Sequence, residues 1–304
     1  MKQVDVESLE IPIHINKNVK LRETPRVKTN IYRLKGTGIN ESYILKISKR
    51  FGLKGHRRLG EISSNPYTLN YAEVPYVISL DKSSGALRFI DKNRWQIDNG
   101  ISKVDFSEKK AVDIAQHFIT NTELVPADEY KFLKITRLHV GTFQRENKEY
   151  EERVIDYGVV FKRFIDKIPV EGPGGTIVVY IDHEEEVTGC DRIWREIKEI
   201  HRRISYKDLI SLSDVYRQLE KYWSKRAVES IDVTDARFGY FEFGRGKIQR
   251  YLQPVYLMSL RLNSGEEGIG IKSRYIAQAA KKPVGRMMPR RKIEREGPIR
   301  ELSR

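Results

Sequence analysis

The chain has 304 residues, of which 32% are charged and 39% hydrophobic, and its formal net charge is +14. This length predicts two or three compact units, and the hydrophobic fraction is sufficient for folded cores. The single cysteine, Cys190, excludes an internal disulfide and a cysteine-based zinc site.

The first segment with helical periodicity follows a predicted N-terminal extension at 1–30. In segment 31–100, Asn40 is a good N-cap and Gly52 a good terminator for an amphipathic helix. The residues after this helix alternate in polarity and contain the polar turn 81–85, which favours a hairpin. Strands are expected at 67–71, 74–80 and 86–90.

Segment 101–203 has the clearest pattern of a helix followed by strands. Ser107 is a good N-cap, and the residues after it form one apolar helix face. The members of that face are Ala111, Ile114, Ala115, Phe118 and Ile119. Strands are expected at 133–142, 154–164, 176–181 and 187–193, with a glycine-rich turn in 168–175.

Segment 204–280 repeats the pattern, with Ser213 as the predicted N-cap and Val215, Leu219 and Tyr222 on one helix face. Two long alternating runs, 228–243 and 248–262, are expected to pair across a turn at 244–247. Helices followed by hairpins predict an α+β fold with antiparallel sheets instead of a parallel doubly wound sheet.

Segment 281–304 is predicted to be a basic, disordered tail, because apolar periodicity is lost and cations dominate. Its cations are the candidate binding residues for an anionic partner, with solubility as the competing interpretation. The candidates are Lys281, Lys282, Arg286, Arg290, Arg291, Lys292 and Arg295.

Segment 161–182 combines a strand that ends in Ile-Pro-Val, the turn Gly-Pro-Gly-Gly and the strand Thr-Ile-Val-Val-Tyr-Ile-Asp. With 187–189 and the Trp-Arg pair at 194–195, it resembles PepSY-like modules, which include regulatory proteins of the YycH/YycI type. Residues 249–256 look like the closing strand of a second module. The resemblance implies tandem helix-plus-antiparallel-sheet modules at 101–203 and 204–280 that bind or inhibit a partner, with no catalytic residues to transfer.

Three local patterns contain residue types that occur in phosphate-binding or metal-binding sites. The glycines in 172–175 lead into β-branched residues and not into a helix, which favours a hairpin turn over a phosphate loop. Gly36–Gly38 precedes a helix but lacks a third glycine, so it is most simply the loop before Asn40. His183 with the acids at 184–186 is more typical of a solvated turn than of a metal site.

Cys190 lies on a predicted strand without a nucleophile motif, so it is interpreted as a small buried residue. Aromatic residues are frequent in the third segment, and cross-strand packing is favoured over stacking on nucleic-acid bases. These residues are Tyr240, Phe241, Phe243, Tyr251 and Tyr256. The second basic stretch, at 192–203, contains Arg192 and Arg195 but is interrupted by glutamates.

The sequence predicts no catalytic, metal-binding or cofactor-binding residue, and therefore no enzyme. Residues 1–35 lack the apolar run of a signal peptide, and the chain has no run of 18 apolar residues. We expect a cytoplasmic protein, or an extracytoplasmic one if an export signal has been removed. The first functional hypothesis is a regulatory or scaffold protein that binds another protein through its sheets. The alternatives are nucleic-acid association through the tail, and a peptidase inhibitor or prodomain.

Overall fold

The computed structural model describes residues 11–21, 23–95, 103–144, 149–224, 226, 228–263 and 270–285. The fold is mixed α+β, with three α-helices and many antiparallel strands among these residues. The chain divides into two compact units. Unit 1 comprises Met1–Ile31, His201–Gly239 and Gln253–Arg304, and unit 2 comprises Tyr32–Ile200 and Tyr240–Leu252.

The helices and strands follow one another with short connections. The helices are α1 (Glu41–Arg50), α2 (Glu108–Thr122) and α3 (Leu212–Trp223), with a 3-10 turn at Tyr206–Asp208. The strands are β1 (Ile13–Ile15), β2 (Thr29–Leu34), β3 (Glu61–Ser64), β4 (Thr68–Glu73), β5 (Tyr76–Asp81), β6 (Leu87–Asp91), β7 (Tyr130–Gln144), β8 (Glu149–Ile165), β9 (Ile168–Glu171), β10 (Thr176–Asp182), β11 (Val187–Ile193), β12 (Ile197–Ile204), β13 (Ser230–Phe241), β14 (Tyr251–Leu252), β15 (Pro254–Asn263) and β16 (Gly270–Gln278). None of the described helices is long and apolar enough to span a bilayer.

Unit 2 is built around one antiparallel sheet with the order β9-β8-β10-β11-β6-β5-β4-β3, and β7 also pairs with β8. Helix α1 packs on β4 and β5, whereas α2 packs on β8 and β10. A single hydrophobic core joins residues of both helices, such as Ile44 and Ala115, because β6 and β11 pair antiparallel. Strands and helices of the predicted segments 31–100 and 101–203 therefore share one sheet and one core.

The predicted N-caps of the first two helices are confirmed. The side-chain oxygen of Asn40 accepts a hydrogen bond from the Tyr43 N–H at 2.9 Å, and that of Ser107 accepts one from the Lys110 N–H at 3.2 Å. Such bonds satisfy donors that the first helical turn leaves without intrahelical partners. Gly52, at φ 76°, lies just beyond the end of α1 as predicted.

The predicted N-cap of α3 is wrong by two residues. Ser211, and not Ser213, accepts the Asp214 N–H at 3.0 Å, so the helix begins at Leu212. The buried helix face runs from Leu212 to Trp223, and Trp223 is buried instead of the predicted Tyr222.

Unit 1 contains strands in the order β16-β15-β13, and β1 pairs parallel with β13 through Ile231–Val233. The buried residues of α3 are Leu212, Val215, Leu219 and Trp223. The Tyr256 hydroxyl on β15 donates to the Ile210 carbonyl at 3.0 Å, which ties the start of this helix to the sheet.

The predicted pairing of 228–243 with 248–262 across a turn at 244–247 is only partly correct. Strand β13 does lie beside β15, but residues 240–252 belong to unit 2. There Tyr240 and Phe241 pair parallel with Val170 and Glu171. The Gln249 side chain holds this segment together, since it donates to the carbonyls of Phe241 and Tyr251 and accepts the Phe243 N–H, all within 2.9 Å. We call residues 240–252 the inserted segment.

Candidate functional site

The predicted anion-binding cations lie mostly outside the described residues. Lys281 and Lys282 are described and exposed, and the Lys281 N–H donates to the Asp208 carbonyl at 2.8 Å. The remaining candidates, Arg286, Arg290, Arg291, Lys292 and Arg295, are beyond the described part of the chain. The basic tail therefore stays a prediction.

The glycine turn at 172–175 packs against the inserted segment. The Gly174 N–H donates to the Glu242 carbonyl at 3.0 Å, and a Cβ atom at Gly174 would lie 2.5 Å from the Phe243 carbonyl oxygen. Gly172 has φ 94°, and a Cβ atom there would lie 2.7 Å from the Glu242 carbonyl oxygen. The turn thus uses its glycines for chain reversal and backbone contact, which agrees with the structural interpretation of its sequence.

Carboxylates of the acidic turn after β10 have partners in the backbone of the turn and in Arg94. Asp182 Oδ1 accepts the N–H groups of Glu184 and Glu186 at 3.0 and 3.1 Å. Arg94 forms ion pairs of 2.7 Å with both Asp182 and Glu184. Within the described ranges, no three His, Cys, Asp or Glu side chains are placed to hold a metal ion. This geometry agrees with a turn stabilised by arginine.

Cys190 lies on β11 with 1% of its surface exposed, and burial raises the pKa of its thiol. Only the thiolate is nucleophilic, so we expect no measurable labelling of Cys190 by a thiol reagent in the native protein. The urea-unfolded protein should label completely within the same time, when followed by mass spectrometry. Equal labelling rates in both states would contradict this placement of the cysteine.

The aromatic residues of the third segment include two that are completely buried, Tyr240 and Tyr256. The rings of Tyr240 and Tyr32 have centroids 5.5 Å apart in unit 2. Both buried tyrosines pack inside the protein, so the packing interpretation is confirmed for them, and neither ring is accessible to a nucleic-acid base.

A buried ion network joins the inserted segment to the rest of unit 2. Glu242 is 0% exposed, and its carboxylate lies 3.4 Å from an Nη atom of Arg163 and 3.3 Å from one of Arg195. Glu129 pairs with Arg163 at 2.7 Å from the other side, and the Arg163 guanidinium lies 4.8 Å from the centre of the Trp194 ring.

Arg195 fixes the path of the inserted segment. Its guanidinium donates to the carbonyls of Phe243, Gly244 and Lys247 at 2.5, 3.0 and 2.6 Å. These bonds explain why 244–247 follows an irregular path instead of a hairpin turn. The network is therefore a structural element of unit 2.

Strand β7 forms an exposed edge of the sheet in unit 2. It is 15 residues long, and β8 is its only strand partner in the described part of the chain. An edge strand presents N–H and C=O groups that a further strand can pair with, and long exposed edges are usually protected. On β7, Phe132, Leu133 and Leu138 are each about half exposed, at 46%, 50% and 48%.

The charges of β7 are all positive, since residues 130–144 contain three Lys or Arg and no acid. Arg137 is paired with Glu108, whereas the described residues provide no carboxylate for Lys131 or Lys134. Lys131 instead lies 4.9 Å from the centre of the Phe164 ring. The strand was predicted from its alternation, but its edge position was not, because that position depends on which strands pair.

Comparison with known proteins identifies no family. No protein-family model matches the chain, and no curated protein matches it. Among matching solved structures is a crystal structure at 1.45 Å resolution of an uncharacterized protein from Eubacterium rectale ATCC 33656. The two chains are 14% identical, the match covers 86% of each, and the TM-score is 0.48.

Proposed function

We propose that this chain is a non-enzymatic binding protein whose edge strand β7 pairs with an extended, acidic segment of a protein partner. The observation that carries the proposal is the 15-residue edge with half-exposed apolar side chains and no acid. Addition of a strand to such an edge uses main-chain hydrogen bonds for affinity and side-chain contacts for specificity.

The charges favour an acidic partner over a basic one. Lys131 and Lys134 lie three residues apart near the start of β7, and the described residues supply neither with a carboxylate. A partner strand with carboxylates at matching positions would provide them, and complementary charge increases specificity and the association rate.

The proposal extends to a tandem-module organisation, with a different pair of modules from the one at 101–203 and 204–280 that the resemblance to PepSY-like proteins implies. Helix α1 with β4–β6 and helix α2 with β8, β10 and β11 each combine one helix with three antiparallel strands. The turns after β5 and β10 both begin with an aspartate, Asp81 and Asp182, whose side chain accepts turn N–H groups. In this proposal the two halves are tandem modules, and β7 is the strand added to the second.

The proposal is tested by photo-crosslinking in cells of the source organism. A crosslinking amino acid at Leu133 is expected to give a discrete protein adduct. Reversal of the two nearby charges, Lys131→Glu with Lys134→Glu, should reduce that adduct at least about tenfold, since a loss of about 1.4 kcal/mol in binding free energy has this effect.

Tyr67 provides the matched control position. It is 74% exposed, lies between β3 and β4 at the other end of the same sheet, and is remote in sequence from β7. A crosslinker there should not capture the same protein. The proposal fails if Leu133 gives no adduct, if both positions give the same adducts, or if charge reversal leaves the yield unchanged.

A further inference from the structure

A cavity of about 560 Å³ opens in unit 2 between residues 34–38, the turn 82–85 and residues 248–250 of the inserted segment. The Thr37 hydroxyl donates to the Lys82 carbonyl at 2.8 Å and so connects the first two of these loops. Cavities of this volume are typical of small-molecule sites. No residue of β7 lines it, so the cavity is separate from the proposed protein-binding edge.

The wall of this cavity carries an excess of positive charge. One acid, Glu196, lines it, and five cations do, which gives a formal charge of 5 − 1 = +4. The five cations are Lys35, Lys82, Arg192, Arg195 and Arg250.

Two of these cations form ion pairs. Lys35 forms a 2.8 Å ion pair with Glu196, which also attracts Arg192 from beyond ion-pair distance, and Arg195 is paired with Glu242 and attracted by Asp81. Lys82, Arg192 and Arg250 form no ion pair with a carboxylate of the described residues. The charge excess therefore comes from these three side chains.

Arg192 is the most informative of the three because it is 94% buried, with 6% of its surface exposed. Its Nη1 atom donates to the Leu124 carbonyl at 2.9 Å and its Nη2 atom to the Gly85 carbonyl at 3.4 Å, whereas its Nε atom is buried without a hydrogen-bond partner. A buried cation is costly unless a counter-charge accompanies it. Glu196 attracts Arg192 but forms its ion pair with Lys35, so an anion in the cavity would give Arg192 a counter-charge within ion-pair distance.

We propose that this cavity binds a small phosphate-type oxyanion, with Arg192 as its buried cation and Arg250 as an exposed cation at its wall. A guanidinium group suits a phosphate because its planar array of donors matches two oxygens of the anion. The ring of Tyr43 and the backbone around Gly36 and Gly38 also line the cavity, and a Cβ atom at either glycine would meet no atom within 4 Å. This open space leaves room for an ester group attached to the phosphate.

The test is calorimetric titration of the full chain with inorganic phosphate, pyrophosphate and ATP, with succinate as the carboxylate comparison. Binding of phosphate or pyrophosphate identifies the free anion as the ligand, and binding of ATP alone identifies a phosphate ester. Either result supports the site. Arg250→Ala should lower the affinity for the bound phosphate probe at least about fivefold, which is the modest effect expected of an exposed charge contact.

Arg58→Ala is the matched control, since Arg58 is an exposed cation of the same unit that does not line the cavity. It should leave the affinity unchanged. Arg192→Lys keeps the positive charge but removes the planar set of guanidinium N–H donors. We expect it to lower the phosphate affinity more than Arg250→Ala does.

If Arg192→Lys does not fold, the affinity of Arg250→Ala alone decides whether this cavity is the phosphate site. Absence of binding by all three phosphate probes, tighter binding of succinate, or equal affinities of wild type and Arg250→Ala would overturn the proposal. The β7 charge reversal should not alter phosphate affinity, so this site and the protein-binding edge can fail independently.

Discussion

Replacing Glu242 by glutamine is expected to lower the free energy of unfolding of unit 2 by about 3–5 kcal/mol, because the buried Arg195 then has no ion pair, whereas Arg163 keeps Glu129. Glu242 is 0% exposed and is shared by Arg163 and Arg195. A neutral amide of the same shape keeps the volume but removes the charge that both guanidinium groups face. The amide would also direct donor hydrogens towards groups that are themselves donors.

Hydrogen exchange followed by mass spectrometry measures this loss within unit 2. Peptides from β8 and β10 should exchange faster in the variant, in proportion to the lost stability. Glu184→Gln is the matched control, because Glu184 is 59% exposed and pairs with Arg94 at 2.7 Å. An exposed pair contributes about 0–1 kcal/mol, so similar effects of the two substitutions would refute the structural role of the buried network.

Replacing Asp156 by asparagine is expected to stabilise the protein above neutral pH and to have little effect near pH 4. Desolvation of the carboxyl on β8 raises the pKa of Asp156 to about 7, although the Ile181 N–H at 2.9 Å and the Thr188 hydroxyl at 3.3 Å oppose the shift. The nearby charge of Asp182 raises it further. An asparagine can accept the same N–H bond without carrying a charge.

The direction of this pH dependence follows from the number of protons that the folded and unfolded states bind. Between pH 4 and 7 the folded protein holds a proton at Asp156 that the unfolded chain has released, so this contribution to stability is complete below pH 4 and is lost as pH rises to 7. About three pH units at about 1.4 kcal/mol each give about 4 kcal/mol as an upper bound.

Urea unfolding of both proteins at pH 4 to 8 measures the effect. The stability difference between Asp156→Asn and wild type should grow with pH and level off above pH 7. Groups common to both proteins cancel in this difference. A difference that is independent of pH would show that Asp156 titrates at its ordinary pKa in the folded protein.

Features that depend on local hydrogen bonds could be predicted from the sequence. The N-caps Asn40 and Ser107 were placed correctly, and the bounds of the strands around 67–90 were placed within one or two residues, because polar caps and alternation act over a few positions. For α3, the sequence contains an N-cap signal at Ser211, but the prediction placed the cap at Ser213. Ser211 has an acid three residues later, Asp214, and the serine hydroxyl donates to it at 2.6 Å.

Features that depend on distant segments could not be predicted. Arg192 and Arg195 belong to a basic stretch that Glu196 and Glu199 interrupt, which is typical of a solvated surface, yet both arginines are buried. The carboxylate that accompanies Arg195 belongs to Glu242, 47 residues further along the chain. Likewise, the division into two units depends on which unit contains residues 240–252, and no local pattern marks this segment.

The inserted segment has a consequence for synthesis on the ribosome. Unit 2 is continuous from Tyr32 to Ile200 but also needs Tyr240–Leu252, which is translated only after the whole second segment of unit 1, His201–Gly239. At roughly 5–20 residues per second, the 47 residues between Arg195 and Glu242 take roughly 2–9 s. During that interval the nascent chain holds Arg195 without its carboxylate. Completion of unit 2 is therefore delayed until late in translation, and a chain that stops before Glu242 lacks the counter-ion on which its ion network depends.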